Sequence, residues 1–221
     1  MDIYEAIRER HSVRNYDSRP IEDEKIERLH EIIDSCNRIG KLHIQLVLNE
    51  PEAFRSRLAR YGSFSRVTNY IVLAGKKADD LDERCGYFGE KIVLEAQMMG
   101  LNTCWVGLTY KKIPDAFRLF SGEKLTAVIA LGYGTMKGYP HKSKKIAEVT
   151  KCEGPMPEWF LKGVEAALLA PTAVNQQKFT LVCKDDKVEA KAGWGFYTKM
   201  DLGIVKCHFE IGSGRDGSVW E

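Results

Sequence analysis

The chain has 221 residues, 44% hydrophobic and 29% charged, and a formal charge of +2 from 33 basic and 31 acidic side chains. Those proportions are ordinary for a globular protein with one sizeable core or two small ones. So slight an excess of cations excludes a general nucleic-acid binder, which must neutralise a row of phosphates. No apolar run approaches membrane-spanning length, and Met1 leads into a charged helix, so no signal peptide is expected. The six cysteines, Cys36, Cys85, Cys104, Cys152, Cys183 and Cys207, have neither C-x-x-C nor zinc-type spacing. Free thiols in a reducing, cytoplasmic setting are the simplest expectation.

In chain order, residues 1–7 read as a short helix, with Asp2 as N-cap and Ile3, Ala6 and Ile7 as its apolar stripe. A basic stretch follows, in which Arg10, Ser12 and Arg14 alternate. If extended, it places two guanidiniums and a hydroxyl on one face, a clamp for phosphate, carboxylate or an anionic ring oxygen. A solvated basic surface is the plain alternative. Pro20 to about Cys36 is an amphipathic helix ended by Gly40, residues 43–48 a strand, and residues 51–61 a charged helical stretch. The apolar run 70–75 predicts a fully buried strand. Arg84 to Met99 predicts a long helix closed by Gly100, with Gly89 inside it marking a close crossing with another helix. A strand over 100–107, a short helix over 114–120 and a second buried strand over 125–133 come next.

The stretch Arg10-His11-Ser12-Val13-Arg14, after a short helix and before Tyr16 and Pro20, resembles the N-terminal signature of the nitroreductase family of flavoproteins. Three further pieces match: a long central helix ending in Gly-Leu, a strand leading to Trp105-Val106-Gly107-Leu108, and a strand ending Leu-Gly-Tyr before the basic loop His141 to Lys145. The resemblance implies an α+β fold with a mostly antiparallel sheet flanked by helices. It implies FMN bound by Arg10, His11, Ser12 and Arg14, with backbone of residues 105–108 near the ring and Lys142 and Lys144 on the phosphate. The family's Pro-Ser-x-x-Asn-x-Gln loop is missing from its usual place, Cys36 to Leu42. It occurs late, as Pro171, Thr172, Ala173, Asn175 and Gln177.

An offset of 135 residues sets Pro20 on Pro155, Ile26 on Leu161, Leu29 on Val164 and Leu46-Val47 on Leu181-Val182. An offset of 114 sets Gly89 on Gly203 and Gly100 on Gly214, making residues 200–209 a shortened copy of the central helix. The expectation is a fused pseudo-dimer: residues 1–150 as a nitroreductase-like half with the signature, residues 151–221 as a reduced half with the Asn-Gln loop, packed together as a monomer. By resemblance the activity is ping-pong hydride transfer from NADH or NADPH through FMN to a nitro compound, quinone or related acceptor, with no protein nucleophile. The alternatives are a flavin protein with little turnover, serving as store, sensor or electron carrier, and a domain that keeps the fold without flavin. Core packing is expected for His208.

Overall fold

The structure is a computed structural model; it describes residues 1–17 and 19–221, apart from the side chains of Leu58 and Arg60. In chain order the elements are α1 (Ile3–Glu9), α2 (Asp23–Gly40), β1 (Gln45–Val47), α3 (Arg57–Tyr61), β2 (Asn69–Lys76), α4 (Leu81–Met98), β3 (Asn102–Val106), β4 (Glu123–Gly132), α5 (Ile146–Val149), β5 (Thr150–Cys152), α6 (Glu158–Ala167), β6 (Phe179–Lys184), β7 (Lys187–Ala192) and α7 (Thr198–Ser213). They form two compact units. The sheet unit holds residues 10–81 and 92–140; the helical unit holds residues 1–9, 82–91 and 141–221. These units are drawn differently from the sequence halves 1–150 and 151–221, because α1 and the first turns of α4 group with the C-terminal region.

In the sheet unit four strands run β1-β2-β4-β3, every neighbouring pair antiparallel. The continuous apolar runs of β2 and β4 are central strands, and Ile71, Val72, Val128 and Ile129 are wholly buried. Phe54, Phe64, Tyr70 and Tyr110 meet edge-on or stacked under the sheet. The helix expected at 114–120 is absent: the segment is a turn, and Ile113, Ala116 and Phe117 cover the core without a helical repeat. Gly40, expected to break α2, is its last residue; Lys41, at φ 49°, makes the left-handed C-cap. Likewise the stretch 51–61 divides into a 3-10 turn at Glu52–Phe54 and α3.

In the helical unit, β5 runs parallel to β6, and β7, which the sequence pattern did not suggest, pairs antiparallel with β6. Helix α1 opens with a reciprocal cap: Glu5 N–H donates to Asp2 (2.8 Å) and Asp2 N–H donates to Glu5 (3.0 Å). Phe160, Phe209, Trp159 and Trp220 form an aromatic cluster, and a Cβ on Gly163 would lie 2.5 Å from the Phe209 ring. Two helices cross at glycines here, as expected, at Gly203 and, on the other helix, Gly86. A Cβ on Gly203 would lie 1.9 Å from the Glu83 carbonyl oxygen, and one on Gly86 would lie 2.0 Å from that of Met200. Backbone thus rests on backbone. Beside this crossing His208, fully buried, meets Glu90 (2.8 Å) and the Ala166 carbonyl (3.1 Å), so it is a satisfied core residue.

Helices α2 and α6 begin at Asp23 and Glu158, separated by the same offset as Pro20 and Pro155. Gly100 and Gly214 both take left-handed φ (77° and 67°) just after α4 and α7.

At the start of α7, Asp201 is 4% exposed and accepts from Ala173 N–H (2.9 Å) and Gln176 Nε2 (2.7 Å). Burial outweighs these bonds and raises its pKa to about 6. Because the folded state then holds the proton more tightly than the unfolded chain, Asp201 removes stability as pH rises from about 4 to about 6. Asp201→Asn should abolish that part of the decline, about 3 kcal/mol at most, in urea unfolding at matched pH values. A parallel decline in variant and parent would refute the assignment. Gly203→Ala and Gly86→Ala should each cost about 1–3 kcal/mol by overpacking, seen as a melting temperature lower by roughly 3–10 °C. Parent-like melting of either variant would show that the helices do not touch at these glycines.

Candidate functional site

The signature stretch extends the sheet. Val13 N–H donates to the Thr103 carbonyl (3.0 Å), and Ser12 bridges Thr103 in parallel register, so residues 12–13 lie along the outer edge of β3. Val13 and Tyr16 turn into the core at 1% and 2% exposure, and the Tyr16 hydroxyl donates to the Val13 carbonyl (2.7 Å). These anchors hold the strand from Ser12 to Tyr16.

The polar side chains gather around one thiol. Cys104, on β3, follows Thr103, the bridge partner of Ser12, and lies within electrostatic reach of Ser12, Arg14 and Arg10. Burial raises the Cys104 pKa, and the two guanidiniums partly oppose it. Burial likewise holds the Tyr16 hydroxyl protonated, well above its ordinary range. Arg10 is 3% exposed, whereas Arg14 is exposed and His11 is half-buried. A buried guanidinium beside an exposed one presents one cation fixed in low dielectric and one free to adjust. Further along β3, Trp105 and Gly107 are half-buried, Val106 is in the core and Leu108 is 69% exposed. Gly100 closes the last turn of α4, its N–H bonding the Gln97 carbonyl (3.0 Å), so its glycine answers to the helix end.

The chain after β4 packs against this stretch, which sequence reasoning missed. A Cβ on Gly134 would lie 2.7 Å from the Val13 side chain, and one on Gly138, at φ 78°, 2.8 Å from His11 Cβ. Two glycines shortly after Leu-Gly-Tyr were the available signal. Cys104 was missed too; only its place next to Thr103, the bridge partner of Ser12, gives it meaning.

In the helical unit the basic loop and the Asn-Gln loop, about thirty residues apart in sequence, are joined. Gln177, 2% exposed, donates from Nε2 to the Lys142 carbonyl (2.9 Å) and to Asn175 Oδ1 (2.7 Å), and its Oε1 accepts from Lys144 N–H (2.9 Å). Asn175 Nδ2 also donates to the Lys142 carbonyl (2.8 Å), and Lys144 Nζ donates to the Gln177 carbonyl (2.8 Å). Thr172 Oγ1 takes the Gln177 N–H (3.0 Å), Asp201 takes that of Ala173, and Pro171 is half-buried. Val174, Asn175 and Gln177 all have positive φ (45°, 54° and 44°). For Val174, β-branched and 81% exposed, that is a strained conformation held by its neighbours' bonds. Both amide hydrogens of Gln177 are committed inside the loop, which makes it a brace. Lys142 remains exposed.

A cavity of about 570 Å³ in the same unit is lined by Tyr4, Ile7, Arg8, Lys162, Leu169 and Gly214 among others, and includes none of these residues. Among the described residues no His, Cys, Asp or Glu cluster suits a metal ion, and no helix is long and apolar enough to cross a membrane.

Comparison with known proteins gives the fold a context. A "putative nitroreductase" structure from Thermotoga maritima matches with a TM-score of 0.70 at 23% identity, covering 96% of this chain and 83% of that one. A "putative nitroreductase" from Desulfovibrio desulfuricans, in complex with FMN, matches at 0.54 and 16% identity, covering 71% and 99%. A "putative NADH dehydrogenase/NAD(P)H nitroreductase" from Parabacteroides distasonis matches at 0.52 and 24% identity, covering 66% and 95%. These likenesses concern the fold. Comparison with curated protein sequences finds no match. The family model described as "Putative TM nitroreductase" spans residues 2–213, nearly the whole sequence. The α+β architecture and this match agree with the signature at Arg10 to Arg14: the chain belongs to the nitroreductase family.

Proposed function

We propose that the protein is an FMN-dependent oxidoreductase that takes hydride from NADH or NADPH and passes it, in a ping-pong cycle, to a small acceptor such as a nitro compound or quinone. The observation that carries the reading is the gathering of Arg10, Ser12 and Arg14 around Cys104 on the sheet edge. That donor set fits a flavin. The ring's N1–C2 carbonyl side becomes anionic on reduction, and a guanidinium fixed in a buried setting stabilises negative charge there strongly. FMN, when bound, supplies the two-electron chemistry, and the chain supplies position and charge. The Desulfovibrio neighbour was solved with FMN, and the Parabacteroides neighbour's description names NAD(P)H, which supports the same cofactor and donor here.

Each remaining residue has a role in this reading. Arg10 and Ser12 hold the ring edge, with His11 beside them, and Arg14 adjusts from the exposed side. The backbone of Trp105, Val106, Gly107 and Leu108 approaches the flavin, and exposed Leu108 offers an apolar cover. Lys142, exposed, attracts phosphate. Lys144 and Gln177 keep the 171–177 loop shaped, so that Pro171, Thr172, Ala173 and Asn175 are presented in one conformation. The chain has one copy of the signature and one of the loop, and should bind one FMN per chain as a monomer.

Fluorescence titration with FMN tests this reading. Arg10→Ala should weaken binding by about 1.5–3 kcal/mol, the scale of a charge-assisted hydrogen bond. Lys142→Ala should lose less, and its deficit should shrink with added salt. Unchanged affinity in Arg10→Ala would remove the basis of the proposal. Steady-state NADH and NADPH oxidation with a quinone or nitroaromatic acceptor tests turnover; a protein that binds FMN yet turns over neither donor is a flavin carrier or store. Light scattering during the titration tests stoichiometry, and two FMN per chain would contradict it.

A further inference from the structure

Two of the six cysteines face each other across a strand pair. In the parallel ladder of β5 and β6, Cys152 lies directly opposite Cys183. Neighbouring strands are about 4.8 Å apart, and opposed residues of a ladder project to the same face. That spacing falls within the Cα separation of about 4.4–6.8 Å that a disulfide spans. Cys183 Sγ approaches the Asp185 carbonyl at 3.9 Å and lies within electrostatic reach of Cys152. Their exposures differ: Cys183 is 3% exposed, while Cys152 is half-buried at the outer strand of this three-stranded sheet.

We propose that Cys152 and Cys183 are a redox-modification site, closing to a reversible disulfide when Cys152 meets hydrogen peroxide. Cys152, the more accessible thiol, attacks one peroxide oxygen; the O–O bond breaks, water leaves, and Cys152 becomes a sulfenic acid. The Cys183 sulfur then attacks the Cys152 sulfur. An S–S bond forms, the S–O bond breaks, and a second water carries away the hydroxyl with the Cys183 proton. Two thiols lose two electrons in all, and one peroxide is reduced to two waters. Burial, with Cys152 and Asp185–Asp186 nearby, pushes the Cys183 thiol up to about 11, so it is a poor first target and serves as the resolving partner. The cross-link would enclose α6 and the whole 171–177 loop, which lie between the two cysteines in sequence. Oxidation would thereby restrict the segment that carries the strained Asn-Gln loop. The proposal stands without the flavin assignment.

The test uses the folded full chain, treated with a small excess of hydrogen peroxide and then alkylated in denaturant. Two of the six thiols should become unreactive. The intact mass should fall by two hydrogens, a non-reducing peptide map should join Cys152 to Cys183, and dithiothreitol should reverse all three changes. The oxidised form should melt several degrees higher, as expected for a closed loop of this length. In Cys183→Ala, dimedone should trap a sulfenic acid at Cys152. Six reactive thiols after treatment, a cross-link between any other pair, or Cys152 over-oxidised while Cys183 remains a thiol would each overturn the proposal.

Discussion

The hydrogen bond from Val13 N–H to the Thr103 carbonyl decides where the polar side chains of the signature stretch sit. It makes a basic segment into an added edge on β3. Alternation then does the rest: Val13 turns inward, and Ser12 is brought to Cys104 along with Arg10 and Arg14. Without that ladder contact the same residues would be a solvated basic run, and surface charge of that kind contributes little. Gly134 and Gly138 let the chain after β4 close over the strand, because any side chain there would collide with Val13 or His11. A sheet edge covered by a glycine-bearing loop can hold a buried cation such as Arg10 beside the exposed Arg14.

The helical unit solves a different problem, that of holding a strained loop. Three left-handed residues at 174–177 cost conformational energy. Gln177 repays it by crossing to the Lys142 carbonyl, the Lys144 N–H and Asn175, while Asp201 anchors Ala173 and Gln176. Asp201 is itself seated in α7, and α7 is fixed by the backbone contact at Gly86 and Gly203. The shape of the Asn-Gln loop therefore depends on a helix crossing that only glycine permits.

Legibility followed the physics of each element. The runs 70–75 and 125–133 read correctly as buried strands because central strands need apolar residues on both faces. The Arg10 to Arg14 stretch and the late Asn-Gln loop stood out by residue type alone; their settings, an added edge on β3 and a braced loop, come from backbone pairing and hydrogen bonds. The 114–120 segment misled: Ile113, Ala116 and Phe117 bear the spacing of a helical face yet cover the core from a turn. Gly86, which meets the backbone at Met200, carried no signal of its own in the sequence pattern. Strand β7, with three charged residues in six, hid its pairing because an edge strand is partly solvated. Cys104 and the Cys152–Cys183 pair carry no sequence motif; register alone gives them neighbours.

The account's central claim is that the edge strand carrying Arg10, Ser12 and Arg14 receives the isoalloxazine ring of FMN. A crystal structure of the protein grown with FMN tests it most directly. The account predicts ring density against Ser12 and the backbone of residues 105–108, with the Arg10 guanidinium at the ring's pyrimidine edge. Flavin density confined to the cavity of Tyr4, Arg8 and Lys162, with none against Ser12, would contradict it.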